Sequence, residues 1–257
     1  MPRTIVLIHG AWMNPQSWDA WKARYEARGY RVLAPAWPYD DRTVAELNAS
    51  PAPELASVGV TEIVDRYAEV IRGLDEPPIV IGHSFGGLFT QLLLDRGLGA
   101  CGVAIDPAPI RGVNPAWDAI RAGFSVISTW AGWRKVIRMS FADFQWGWVH
   151  TQPEAEQRAA YEGYVVPTPG RPYFQGLVAP FTRTFAVDPA RRTAPLLLMA
   201  GLEDRTVTAS MVRAAYAIQR RSPARTELVE WPGRTHWLCA QPGWEEIADR
   251  ALAWSEG

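Results

Sequence analysis

Residues 81–87 read "IGHSFGG", and the fold turns on whether they form an ordinary turn or the junction of a buried strand with a buried helix. The run before, "PPIVIG" (77–82), is apolar and of strand length; the run after, "LFTQLLLDRG" (88–97), has the look of a buried helix. A strand that turns straight into a helix forces its apex residue, here Ser84, into a strained backbone conformation. The chain crowds the positions two before and two after, where Gly82 and Gly86 stand. Chance alone produces a GxSxG in roughly one such chain in fifteen, so the flanking strand and helix carry the reading.

Outward from this point, apolar runs alternate with helical patterns. The strand-like runs are "TIVLIHG" (4–10), "YRVLAPAW" (30–37), "PIVIG" (78–82), "CGVAID" (101–106), "APLLLMAG" (194–201) and "TELVEW" (226–231). Between the first two, Asn14 is the expected N-cap, Pro15 the first helical residue and Gly29 the stop, with Trp18, Trp21 and Tyr25 on one face. Residues 38–58 read as a loop, and Ile63, Tyr67, Ile71 and Leu74 then line one helical face. Further helices are expected at about 86–96, 208–221 and 243–254. This alternation predicts an α/β fold, a mostly parallel sheet of about six strands flanked by helices. From Pro107 to Arg192 it fails, and tryptophans and phenylalanines accumulate. Trp130, Trp133 and Ile137 recur at helical spacing, as do Phe141, Phe144 and Trp148. The expected division is a core of 1–108 and 192–257 with a mostly helical, tryptophan-rich cap over 109–191.

The chain has 257 residues, 48% hydrophobic and 21% charged, with a formal net charge of −1. No basic field recruits nucleic acid or an anionic membrane. Cys101 and Cys239 fit no metal spacing or disulfide framework, and both are expected as small core hydrophobes. No run approaches a membrane span, and the opening "MPRTIVLIHG" lacks a signal peptide's long apolar region, so a cytoplasmic protein is the default. No Walker or GxGxxG pattern appears, so no cofactor and no metal are expected; Asp40-Asp41 reads as a solvated turn. The expected partner is a small-molecule substrate, and the chain is compatible with a monomer or a homodimer.

A serine hydroxyl needs a base. Of four histidines, His9 ends the first strand, His83 adjoins the serine but points along a divergent direction, and His150 lies in the cap. His236, in "WPGRTHWL", follows the last strand and so reaches the carboxyl edge of the sheet, where open α/β sheets form their sites. The third member is a carboxylate that orients the imidazole: Asp204 in "AGLEDRTV" is preferred, with Asp106 at the next strand end, and then Glu203, as alternatives. Backbone N–H groups of Phe85 and Ala11, or less favourably Trp12, would form the oxyanion hole. His9 and Gly10 are read as structural.

Together, "IVLIHGAW", "IGHSFGG", "MAGLEDRTV" and "GRTHWL" resemble the α/β-hydrolase superfamily over about two-thirds of the chain, in the order Ser84, Asp204, His236. Starting directly at "TIVLIHG" is similar to the compact branch of plant methylesterases and hydroxynitrile lyases. The resemblance implies a serine hydrolase acting on an ester, thioester, lactone or amide. Dehalogenases and epoxide hydrolases of the fold place Asp where Ser84 stands, and the lyases place lysine where Trp237 follows His236. A ligand receptor or carrier, and perhydrolase or carbon–carbon hydrolase chemistry, are the alternatives. A cap must close over the serine, so Trp12, Trp130, Trp133 and Trp237 are candidate pocket walls favouring a moderately apolar group. Arg111 at the cap boundary is read first as a surface residue and second as a contact for a substrate carboxylate.

Overall fold

In a computed structural model describing residues 3–257, the six apolar runs become one parallel sheet. Its strands are β1 (Thr4–Ile8), β2 (Arg31–Leu33), β3 (Ile79–His83), β4 (Cys101–Ile105), β7 (Leu196–Gly201) and β8 (Thr226–Trp231), in the order β2-β1-β3-β4-β7-β8. A two-residue antiparallel ribbon, β5 (Val136–Ile137) with β6 (Thr168–Pro169), lies apart from it. The strands of the sheet centre are buried on both faces, which is why they read as continuous apolar runs and not as alternation.

The alternation appears instead in which layer each residue meets. Ile5 and Leu7 face α1 (Asp19–Glu26) and α10 (Trp244–Ser255), sharing a cluster with Trp18, Trp21, Tyr25, Ile247 and Leu252. Val6 and Ile8 face the other way, toward α3 (Val60–Arg72), α4 (Phe85–Asp95) and α9 (Ala209–Gln219). Each fully buried Ile or Leu contributes roughly 1.5–3 kcal/mol, and the sheet divides the apolar interior into one large cluster on each face.

Several expectations need correction. The helix expected from Asn14 to Gly29 is a 3₁₀ turn over 15–18 followed by α1, although Asn14 does accept the Gln16 N–H and Gly29 does stop it with φ +86°. The strand expected over 30–37 is only three residues long. Residues 38–58 are not all loop: α2 (Val44–Ala49) forms because Thr43 and Glu46 cap each other's backbone N–H groups, and a 3₁₀ turn follows at Pro53–Ser57. Asp40 is buried, not solvated, whereas Asp41 is exposed.

Between β4 and β7 the chain makes α5 (Trp117–Ile127), α6 (Phe141–Gly147), α7 (Glu154–Tyr164) and α8 (Arg171–Leu177). Trp130, Trp133 and Ile137 do not share a helix: a left-handed Ala131 (φ +53°) leads into a 3₁₀ turn at Gly132–Arg134, and Ile137 sits in β5. The insertion's apolar residues, among them Val126, Phe144 and Trp148, belong to the same cluster as the α3/α4 face of the sheet. Where the chain returns, buried Arg192 donates to the carbonyls of Ala194 and Gln219, to Gln219 Oε1 and to Thr226 Oγ1. Among the described residues its partners are carbonyls, an amide oxygen and a hydroxyl and no carboxylate, and burial pushes its pKa down to about 10.

Candidate active site

In a parallel sheet all strands end at one edge, and the sheet reverses its winding between β1 and β3. Ser84 follows β3 and Ala11 follows β1, so the two flank that reversal. Ser84 has φ +56° and ψ −121°, a conformation that side chains rarely adopt. It is held there from both sides: its N–H donates to Ile105 O at 2.9 Å, and its carbonyl accepts from Gly87 and Ala108, each at 2.9 Å. The two flanking glycines are sterically required. A Cβ on Gly86 would collide with the carbonyl oxygen of Ile8, and one on Gly82 with that of Gly86. Gly10 is as tight, since a Cβ there would stand 2.7 Å from Ser84 Cβ.

Asp204 and His236 arrive from the loops after β7 and β8. His236 Nδ1 donates to Asp204 Oδ2 at 2.6 Å, and Asp204 Oδ1 accepts the N–H groups of Thr206 at 2.6 Å and Val207 at 2.8 Å. Both side chains are fully buried, and Nε2 of His236 has no partner among the described residues. Burial pushes the Asp204 carboxyl up, to about 8, against the hydrogen bonds from Val207, Asp106 and Thr206. Burial also holds His236 down, to about 3. A pair this close exchanges protons as a unit. Of the three carboxylates weighed, Asp204 therefore holds the imidazole. Asp106 lies deeper, fully buried with φ +40°, its Oδ1 accepting the Gly201 N–H at 2.8 Å. Glu203 is exposed.

The amides of Phe85 and Ala11 make no hydrogen bond among the described residues, Phe85 being the first residue of α4. Trp12, next to Ala11, has φ +60° and its ring meets Tyr173 at 5.1 Å. His9 is buried, its ring stacked 5.0 Å from Trp37 and bonded to Gly10 O at 3.0 Å, and burial lowers its pKa to about 4.

Residues of the insertion between β4 and β7 reach the same edge. Trp148, at the end of α6, meets the His236 ring edge-on at 4.4 Å, and Tyr173 of α8 meets Phe85 at 5.0 Å. Trp237 packs against Phe144, Trp148 and Tyr164. Trp12 and Trp237 thus border the site, but Trp130 and Trp133 do not: they are 85% and 43% exposed, and Trp133 packs on Phe174. Trp148 and Tyr173 were missed by sequence reasoning. Trp148 carried a signal, the Phe141–Phe144–Trp148 period; Tyr173 carried none. His83, whose direction diverges from the serine by the sequence reading, has its ring 4.6 Å from that of His236. Ser84 is 5% exposed, and the void beside Gly10, Met13, His83 and Trp237 is about 20 Å³, room for about one water. Arg111 lies elsewhere, in a polar cleft of about 970 Å³ with Arg96, Arg183 and Arg191, which no reactive residue lines.

An open parallel sheet with a strained serine and a buried histidine–aspartate pair at its carboxyl edge defines a class of α/β enzymes. Residues 5–250 match the model of the alpha/beta hydrolase family, and the chain belongs to that family. "Methylesterase 2" of Arabidopsis thaliana is 32% identical over 97 residues, 35% of this chain and 33% of that protein, so the match spans a third of its length. Among solved structures, the monoacylglycerol lipase of Paleococcus ferrophilus superposes with a TM-score of 0.70 at 20% identity, covering 99% of this chain and 95% of that one. A pyrethroid hydrolase from Sphingobium faniae JZ-2 gives 0.69 at 19% identity, covering both chains fully (100% and 100%). These last two are likenesses of fold. Among the described residues, no helix is long and apolar enough to cross a membrane.

Proposed function

We propose that the protein is a cofactor-free serine hydrolase that cleaves a carboxylic ester, thioester or lactone carrying a moderately apolar group. The observation that carries this reading is the pairing of Ser84, held at φ +56°, with a buried His236 whose Nδ1 is committed to Asp204 and whose Nε2 is unoccupied. With Nδ1–H fixed on Asp204, the lone pair of Nε2 is the free proton acceptor.

Ser84 Oγ adds to the carbonyl carbon as its proton passes to His236 Nε2. The oxyanion is held by the amides of Phe85 and Ala11, at the positive end of α4. The imidazolium, stabilised by Asp204, returns the proton to the leaving alcohol or thiol as the tetrahedral carbon collapses to the acyl-enzyme. Water then adds with the same histidine as base, and the acid departs as Ser84 regains its proton. Residues 109–191 act as the cap, with Trp12, Phe144, Trp148, Tyr173 and Trp237 forming the apolar wall. The esterase, lipase and hydrolase names of the relatives support ester chemistry.

A second reading, a small-molecule receptor or carrier on this fold, draws on the enclosure of Ser84. Intact-mass analysis after a fluorophosphonate probe separates the two. The hydrolase gives one adduct that disappears in Ser84→Ala and His236→Ala; folded wild type that stays unlabelled overturns it. The triad also serves perhydrolysis or carbon–carbon hydrolysis, which a substrate panel distinguishes.

A further inference from the structure

The hydrolase mechanism leaves one buried acid unused. Asp106 has no solvent exposure, and its neighbours include His83 at the end of β3, Asp204 and His236 from the loops after β7 and β8, and Cys239 ahead of α10. Donor atoms of His83, Asp106 and His236 all lie within 4.8 Å of one another. One oxygen of Asp106 accepts the Gly201 N–H; the other, Oδ2, is buried and makes no hydrogen bond among the described residues. The Asp204 carboxyl, which holds His236 at 2.6 Å, is a neighbour of Asp106, and its charge acts on it. Two neighbouring carboxyl groups sealed from water do not both ionise: one of them keeps its proton.

The donors decide which acid keeps the proton. Asp204 accepts three, from Thr206, Val207 and His236, whereas Asp106 accepts one. Hydrogen bonds of this kind stabilise the ionised form. Resting on the hydrolase reading above, we propose that Asp106 is a positioning residue that works as a neutral carboxylic acid, donating its Oδ2–H to the Asp204 carboxylate. The unpartnered oxygen thereby acquires a partner. Asp204 gains a further hydrogen bond that fixes its orientation and lowers its basicity, so the proton taken from Ser84 stays on His236. Burial, and next the charge of Asp204, push the Asp106 carboxyl well above the usual carboxylate range, in the same direction. The cluster then carries one negative charge at rest and none when His236 is protonated.

Asp106→Asn tests this closely, because Asn Oδ1 still accepts the Gly201 N–H while its amide donates to Asp204. Asp106→Ala removes the donor. The rate of fluorophosphonate labelling at pH 7 is expected to stay within about threefold of wild type in the asparagine variant and to drop about ten- to hundredfold in the alanine variant. At high pH, loss of the Asp106 proton removes the hydrogen bond that orients Asp204 and sets a second anion against it, so the imidazole loses its fixed partner. Wild type therefore loses labelling rate on the alkaline side, and Asp106→Asn does not. Infrared spectroscopy reads the acid directly and needs no activity: wild type at pH 7 shows a carboxylic-acid C=O band, shifted in deuterium oxide, that Asp106→Asn lacks. An asparagine variant as slow as alanine, or no such band, overturns the assignment. Should alanine fail to fold, the infrared pair decides. Absence of any adduct on Ser84 with the band present would defeat the hydrolase reading and leave the protonated acid standing.

Discussion

Ser84 stands at φ +56° and ψ −121°, a region open to glycine and strained for other residues, so its presence there costs stability. Ser84→Gly is expected to raise unfolding free energy by about 1–2 kcal/mol while abolishing labelling, as chemical denaturation would show. Gly86→Ala has the opposite sign. The added carbon would meet the Ile8 carbonyl in a central strand that cannot yield, and a loss of about 1–3 kcal/mol is expected from thermal melts. These demands made the stretch legible in sequence, because only a small set of residues fits the geometry. Chain order favours Asp204 over Asp106, but the bond that decides between them is not legible in the sequence. Both follow strands at the same edge, and which one bonds His236 depends on a 2.6 Å contact across 32 residues of chain.

The sheet and its helices could be read from apolar runs because a parallel sheet is buried on both faces. The connections could not, since they rest on local pairs. Thr43 and Glu46, the capping box that builds α2, were present in a stretch judged by its Pro, Asp and Ser content. That stretch also proves to be where the insertion is fastened. Asn48 donates to Val165 O at 2.8 Å and accepts from Arg138 at 3.0 Å, and Arg171 reaches the Ser57 carbonyl. Gln175 of α8 accepts the Val60 N–H at 2.9 Å, capping α3 from the insertion, because Gly59 has no side chain to do so. Gln175→Ala removes about 1 kcal/mol from this attachment. On the proposal that this insertion is a cap that must lift to admit a probe to the enclosed Ser84, the labelling rate should rise about fivefold. An unchanged rate would place the entry path away from α8.

At the scale of the whole molecule, the site edge holds several histidines kept neutral in the interior. Burial, then the neighbouring His236, holds His83 well below its ordinary 6.5, and burial lowers His9 to about 4. In the unfolded chain each takes up a proton near pH 6.5, which the folded form refuses. A base with a depressed folded pKa contributes stability that is complete above 6.5 and is lost as pH falls. Asp40, facing His9, runs the other way: burial raises its pKa, so it takes up a proton on folding as pH falls and masks part of the histidine slope. Total stability against pH is therefore a poor readout, and the difference between wild type and His83→Gln isolates one group. That difference should be constant above about pH 7 and shrink by about 1.4 kcal/mol per pH unit below 6, measured by denaturant unfolding. A pH-independent difference would mean that His83 titrates alike in both states, with water reaching its ring through an open cap. The same curve therefore reports how tightly the insertion seals the serine, the property on which the enclosed mechanism and the proton between Asp106 and Asp204 both depend.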